Sequence, residues 1–217
     1  MSTTATTITP VSLISVTPNA EELIAYCARV SNPSNQSNKD SEKLIRYLIE
    51  HKHWSPFEMG HLVMEINTDR AIAAQILRHR SFSFQEFSQR YATALPQTPE
   101  PPLLRRQDET NRQNSVDDLP EDTVHKLQTR SQILFMESRK LYEEMLANNV
   151  ARECARAVLP LATPTRLYMA GSIRSWIHYV DLRVGNGTQK EHRTIALECQ
   201  KVFSKALPSV SKALWQL

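Results

Sequence analysis

Gln75-Ile76-Leu77-Arg78-His79-Arg80-Ser81-Phe82-Ser83-Phe84-Gln85-Glu86-Phe87-Ser88-Gln89-Arg90-Tyr91 holds more candidate chemistry than the rest of the chain together. Just ahead of it and into it, Ile72, Ala73, Ile76 and Leu77 recur at helical spacing, and Thr68 or Asp69 can cap the first turn. Residues 69–79 are therefore expected to be helical, with Gln75, Arg78 and His79 on one face. Past Arg80, Phe82 and Phe84 alternate with Ser81, Ser83 and Gln85, which predicts an extended segment. If the extension persists, Glu86, Ser88 and Arg90 point one way and Phe87, Gln89 and Tyr91 the other.

Three arginines this close offer fork-shaped donors for phosphate oxygens, and backbone amides near Ser88 can add more. A carboxylate, a hydroxyl and an amide beside them suit a sugar and the edge of a base. The set points to a phosphorylated, planar, heterocyclic ligand. A purely structural reading also accounts for it: Arg78, His79 and Arg80 in a last helical turn complement the helix dipole, and Glu86 pairs with one of them.

Outward from this stretch, 217 residues suffice for a buried core and fit one domain, 1–217, with an excursion at 96–122. The net charge of +3 is small for a duplex binder, so nucleic acid is not an expected partner. Only four glycines occur; Gly185-Asn186-Gly187 is followed by Lys190 where a dinucleotide fingerprint needs glycine, and there is no P-loop. Cys27, Cys154 and Cys199 are odd in number and far apart, which argues for free thiols and a reducing, cytoplasmic setting. The first basic residue is Arg29 and no apolar run reaches membrane-spanning length, so neither a signal peptide nor a membrane is expected.

Read in order, residues 1–7 are Ser/Thr-rich and loose, and 11–16 form a strand with Leu13, Ile14 and Val16 toward a core. Residues 20–31 form a helix capped by Asn19 and facing inward through Leu23, Ile24, Cys27 and Val30. A second helix runs over 41–52 with Leu44, Tyr47 and Leu48 inward. Residues 61–67 alternate cleanly, with Leu62, Met64 and Ile66 on one side of a strand. Residues 96–122 carry five prolines and no apolar period. A long helix follows over 121–148, with Val124, Leu127, Ser131, Leu134, Ser138, Leu141 and Met145 in one stripe. Beyond Pro160 and Pro164 a helix spans about 165–184, burying Ile173, Ile177, Val180 and Val184 and presenting Arg174, His178 and Asp181, with Arg183 at its end. Residues 191–207 close the chain as a helix. The fold class is α+β: a small mixed or antiparallel sheet packed with several long helices.

Two other functional classes fit some of these residues. A nucleotide or nucleic-acid binding module would use Arg78 to Tyr91 as a basic, aromatic surface. A metal hydrolase would use His51, His53, His61 and Glu58.

Written out, the opening stretch resembles the signature of the flavin-dependent thymidylate synthases: Arg78, His79, Arg80, Ser83, Glu86, Ser88 and Arg90 match in type and spacing. Gln85 stands where that family usually carries asparagine. His53-Trp54-Ser55-Pro56-Phe57-Glu58 resembles the family segment that lies against the flavin. Residues 152–160 resemble the stretch ending in Leu-Pro whose second arginine, here Arg156, contacts the phosphate side of the nucleotide. Ser172-Ile173-Arg174, His178 and Asp181-Leu182-Arg183 match its spacing for flavin and nucleotide contacts, with Ser172 and His178 replacing amides.

The resemblance implies reductive methylation of dUMP to dTMP. Carbon would come from 5,10-methylenetetrahydrofolate and hydride from tightly bound FAD reduced by NADPH, with no cysteine nucleophile and no metal. It implies Gln75, Arg78, Glu86, Ser88, Gln89, Arg90, Arg156 and Arg183 as substrate ligands. His53, Ser55, Arg78, His79, Arg80, Glu86, Ser172, Arg174 and His178 would hold the flavin. Arg183, as a fixed cation beside the uracil imide, and Ser88, by polarisation and positioning, are the candidate catalytic groups. The resemblance also implies a homotetramer with sites built where subunits meet.

Overall fold

The computed structural model describes residues 10–95 and 99–216, so the expectation for residues 1–7 lies outside the described residues. The clean alternation at Leu62, Met64 and Ile66 does form a strand, β2 (His61–Asp69), and all three side chains are fully buried. β1 (Val11–Val16) pairs antiparallel with it. Its register shifts between Leu13 and Ser15, leaving Ile14 as a bulge. Val11 is the buried residue of β1, while Leu13 and Ile14 are exposed, contrary to expectation.

Residues 165–172, expected to be helical, instead form most of a strand, β6 (Pro164–Ser172). The reason is legible in its burial: Thr165, Leu167 and Met169 are buried while Arg166 and Tyr168 face out, a period of two. The helix begins only at Ile173, as α6 (Ile173–Arg183), where Ser172 Oγ accepts the Ser175 N–H at 3.2 Å as N-cap. Trp176, Ile177, Tyr179 and Val180 join Ile173 in its buried face.

Helices α1 (Ala20–Ala28) and α2 (Glu42–Glu50) end earlier than expected. Asn19 does not cap α1 through its side chain; it takes a left-handed conformation, and Val30 is exposed beyond the helix end. In α2 the inward pair is Ile45 and Leu48, while Tyr47 is exposed. Beyond α7 (Lys190–Ala206) the chain makes a further helix, α8 (Pro208–Trp215), started by Pro208 at its first position. The sheet order is β1-β2-β6-β3, where β3 is Ser83–Glu86.

The chain divides into two compact units. One comprises residues up to Ile66, Leu77–Gln85 and Tyr168–Leu217. In it α7 packs on β1, α6 and α8, and α2 packs on α1 and α8. The Trp176 indole donates to the Leu62 carbonyl at 3.2 Å. The other unit comprises Asn67–Ile76 and Glu86–Leu167. It holds α3 (Arg70–Ile76), the two-residue ladder of β4 (Arg106–Gln107) with β5 (Ser115–Val116), α4 (Glu121–Ala147) and α5 (Arg152–Ala155). Tyr142, Ala94 and Ala155 form its small core, and the Tyr142 hydroxyl accepts the Ala94 N–H at 2.9 Å. The stripe expected along α4 is otherwise largely open: Leu127, Leu134 and Leu141 are exposed.

Gly171 lies in β6 under the ring of Phe82, where a Cβ would come within 2.5 Å of the Phe82 Cδ1. Phe82 is itself wedged edge-on against Trp176, at 5.0 Å between centroids, and Tyr179, at 6.0 Å, so the ring has little freedom to retreat. Gly171→Ala is expected to cost about 1–3 kcal/mol of stability through overpacking. Urea unfolding monitored by tryptophan fluorescence measures it, and an unchanged midpoint would show the ring moves freely.

Candidate functional site

The Arg-His-Arg run begins just past α3, which is one turn shorter than expected. Asp69 caps that helix as anticipated, its Oδ1 accepting the Ile72 N–H at 2.8 Å, but α3 ends at Ile76. Arg78 and Arg80 are exposed, with no hydrogen bond or ion pair on either guanidinium among the described residues. His79 turns the other way. Its Nε2 accepts the Arg183 Nε–H at 2.9 Å, which requires the neutral ring to carry its proton on Nδ1. Burial, and then the Arg183 charge, push the His79 pKa down to about 4. Tyr179 meets the imidazole edge-on at 4.9 Å, and the Tyr179 hydroxyl lies 3.2 Å from Nε2 of the fully buried His192. Burial, then Arg183 and His79, hold His192 near 4 as well.

His53 is placed by the end of α2. Lys52 adopts a left-handed φ of 56°, its N–H bonding Ile49 O at 3.0 Å, while the His53 N–H bonds Leu48 O at 2.8 Å. This paired closure is usually built on glycine. Pro56 then opens a single 3-10 turn, Ser55–Glu58, anchored by the buried Phe57. Glu58 reaches Arg174 at 3.0 Å, and Trp54 stands edge-on to His178 at 5.4 Å. This first unit therefore presents exposed cations, imidazoles and an indole from His53 through His178, with no glycine-rich loop among them. Free guanidinium forks and flat rings are the donor set that a flavin with its diphosphate requires. The residues present fit that group. Ser172, buried, has its hydroxyl engaged with Ser175 as the cap of α6.

The extended segment, β3, stops at Glu86, the residue at which the chain enters the second unit. The Ser88 carbonyl accepts from the N–H groups of Tyr91 and Ala92, so residues 88–91 turn. Gln89 is 3% exposed and Tyr91 88%, and the expected sharing of one face fails. Gln89 Oε1 accepts from Arg70 at 3.3 Å, Arg70 lies 3.9 Å from Glu86, and Glu86 accepts from the Thr165 hydroxyl at 3.0 Å. Gln89 Nε2 is buried with no protein partner. A buried amide donor without an acceptor is costly, and it marks a place where a ligand oxygen would be welcome. Beside it, Ser88, Arg90 and Tyr91 line an open cleft of about 550 Å³ with Ala151, Arg152 and Glu153. Arg90 is held by Glu153 at 3.2 Å, both side chains being more than half exposed. Arg156 is half-buried in the 3-10 turn after α5.

A family model described as "Thymidylate synthase complementing protein" matches residues 12–209. The chain is 55% identical over 196 residues to the probable flavin-dependent thymidylate synthase of Paramecium bursaria Chlorella virus 1, covering 90% of each. It is also 55% identical over 194 residues to the flavin-dependent thymidylate synthase of a Synechocystis species, covering 89% of each. The chain belongs to the flavin-dependent thymidylate synthase family. Among solved structures, a UMP/dUMP methylase, PolB from Streptomyces cacaoi, bound with 5-Br UMP, superposes with a TM-score of 0.78 at 27% identity, covering 94% of this chain and 92% of that one.

The residues that this thymidylate synthase signature brings forward fall into two groups, one in each unit. His53, Ser55, Arg78, His79, Arg80, Ser172, Arg174, His178 and Arg183 lie in the first, and Gln75, Glu86, Ser88, Gln89, Arg90 and Arg156 in the second. Sequence reasoning missed Arg70 and Thr165, which fix Gln89 and Glu86, because Arg70 reads as one more polar residue of a helix and Thr165 as the start of another. It also missed Tyr179 and His192 behind His79. Their signal was Tyr179 one position before Val180 on the apolar stripe of α6. Among the described residues no three His, Cys, Asp or Glu side chains are grouped to hold a metal.

The half-buried His79 and the buried His192 set a pH dependence. Their folded-state pKa values, about 4, lie below the ordinary 6.5, so between these limits the unfolded chain binds more protons than the folded one. Stability is then fully present above pH 6.5 and falls as pH drops toward 4. Denaturant titrations at pH 7, 6 and 5 should show this decline, and His192→Phe should flatten it; a wild-type midpoint independent of pH over that range would contradict the buried, neutral state.

Proposed function

We propose that this chain catalyses the reductive methylation of dUMP to dTMP. 5,10-Methylenetetrahydrofolate supplies the carbon and FAD reduced by NADPH supplies the hydride, without a cysteine nucleophile. The observation that carries this reading is identity of 55% over nine-tenths of the chain to flavin-dependent thymidylate synthases, with the Arg78-to-Arg90 signature inside the matched region. The free guanidinium groups of Arg78 and Arg80 support it, since they stand ready for anionic oxygens.

When bound, FAD carries the electron transfer, and the protein supplies placement and charge. We assign His53, Ser55, Arg78, Arg80, Ser172, Arg174 and His178, with Glu86, to holding it; His79, which the resemblance also gives to the flavin, has its ring engaged with Arg183. The nucleotide side is assigned to Gln75, Arg78, Glu86, Ser88, Gln89, Arg90, Arg156 and Arg183. Gln89 Nε2 would donate to a base or sugar oxygen, which removes the penalty of its unmet hydrogen bond. The Arg90–Glu153 pair is exposed and worth about 0–1 kcal/mol, so a phosphate can displace Glu153 from it. Ser88 polarises and positions. Arg183 stabilises the ionised uracil ring and so raises electron density at the carbon that is methylated. We assign the chain to one domain, 1–217, assembled as a homotetramer; the exposed Leu127, Ile133, Leu134, Met136 and Leu141 along α4 support burial against another surface.

The purified protein should be yellow and bleach under NADPH without oxygen. A colourless protein that stays indifferent to added FAD would refute the flavin reading. Arg183→Ala should keep its flavin and lose about 3 kcal/mol of transition-state stabilisation, roughly a hundredfold in kcat. Arg90→Ala should instead raise the KM for dUMP with little change in kcat. Steady-state kinetics separates the two, and unchanged parameters in either variant would remove that arginine from its role.

A further inference from the structure

The resemblance assigns His79 to the flavin, but its ring is engaged elsewhere. We propose that His79 is a positioning residue for Arg183: a neutral imidazole that accepts the Nε–H and aims the guanidinium while leaving its full positive charge in place. This rests on the reading that Arg183 faces the uracil ring.

The geometry is specific. Between two outward arginines, His79 alone of the Arg-His-Arg run turns inward, and Arg183 Nε–H reaches its Nε2 at 2.9 Å. Anchoring at Nε leaves both terminal nitrogens of the fork, and the four protons they carry, for a ligand. The groups facing the imidazole are Arg183 and Tyr179 from α6, His192 from α7 and Phe82 from its own loop; none is a carboxylate.

The chemical identity of the acceptor decides what Arg183 can do. Carbonyl, carboxylate and imidazole could each accept that proton, but a carboxylate would leave a pair of zero net charge. Other arginines of the two units do carry such partners: Arg174 has Glu58 at 3.0 Å, Arg90 has Glu153 at 3.2 Å and Arg70 has Glu86 at 3.9 Å. Arg183 has no ion pair among the described residues. A cation meant to stabilise an ionising ring loses much of its effect beside a fixed anion, and a neutral acceptor avoids that. Partial burial beside Phe82 and Tyr179, and then the Arg183 charge, favour the neutral imidazole, which is able to accept, near neutral pH.

The test compares His79→Ala, His79→Gln and His79→Glu in the flavin-loaded enzyme, with flavin absorbance per chain measured for each. Ala removes the anchor, Gln replaces it with a neutral oxygen, and Glu replaces it with a charged one. Losing the anchor should lower kcat by roughly a hundredfold, as misplaced catalytic groups do. Gln should recover to within about tenfold of wild type, and Glu should remain as slow as Ala although it holds Arg183. Glu as fast as wild type, or Gln as slow as Ala, overturns the proposal. Normal turnover in Arg183→Ala would instead overturn the underlying reading of Arg183. Where a variant loses flavin or fails to fold, the flavin-free wild type still decides: 15N NMR of the histidine rings at pH 7 should find His79 protonated on Nδ1 only, and Arg183→Leu should raise the pH at which it titrates. A ring protonated on Nε2, or a titration unmoved by Arg183→Leu, sinks it.

Discussion

The contact between the Phe82 ring and Gly171 is the constraint from which the first unit's arrangement follows. A ring can lie that close to strand backbone only where no Cβ intervenes, and β6 offers a glycine at that point. Phe82 sits within the signature stretch, three residues after His79, so its seat on β6 ties that stretch to the strand leading into α6. One residue beyond Gly171, Ser172 caps α6, and the next, Ile173, bonds Gly60 O through its N–H at 2.8 Å. The start of α6 is therefore fixed in three ways within three residues. Its far end carries Arg183, and the distance from cap to Arg183 is set by three helical turns. Packing chosen by size and shape thereby fixes where a charge can stand.

Charge is managed differently around Gln89, in the second unit, and around Arg183, in the first. In the second, hydrogen bonds from Arg70 to Gln89 and from Thr165 to Glu86 flank an Arg70–Glu86 ion pair, so a carboxylate accompanies a cation, and the Gln89 amide is left with an unmet donor. Such a cluster holds polar groups in place but adds little field of its own. In the first, Arg183 is anchored by an uncharged ring, and its field is undiminished. A nucleotide asks for both: hydrogen-bond partners of fixed direction for sugar and base, and uncompensated positive charge where negative charge builds up.

Much of this was legible in the sequence because it rests on period and residue type. β1 and the start of β2 fall where strict alternation and β-branched residues put them, and Asp69 caps α3 as its position before an apolar repeat implies. The signature residues were legible as types at fixed spacing. What failed was the reading of boundaries. Residues 165–172 alternate, but the alternation runs without a break into the 3.6-residue period of α6, and the glycine that permits the strand's close contact carries no signal of its own. Likewise the alternation through Phe84 suggested that the strand continues past Glu86; the turn at Ser88–Tyr91 is made by backbone hydrogen bonds that no side chain announces. The inward turn of His79 was illegible for a related reason: its partners, Arg183 and Tyr179, lie about a hundred residues away, and only tertiary packing brings them together.

The thiols complete the argument for a reaction driven by fixed charge. A cysteine that attacks a pyrimidine must be reachable and readily ionised. Cys199 is fully buried on α7, and burial pushes its thiol well above the ordinary range. Cys27 is half-buried on α1, and Cys154, though exposed, follows Glu153, whose carboxylate already faces Arg90. None has a base oriented toward it among the described hydrogen bonds. Without covalent attack, the uracil carbon gains electron density only if negative charge on the ring is stabilised from outside. A guanidinium held by a neutral acceptor can do this continuously, without first breaking an ion pair, and it cannot lose its own proton at physiological pH. On this reading the inward histidine and the missing nucleophile are two consequences of one requirement: the activating charge must be permanent and uncompensated.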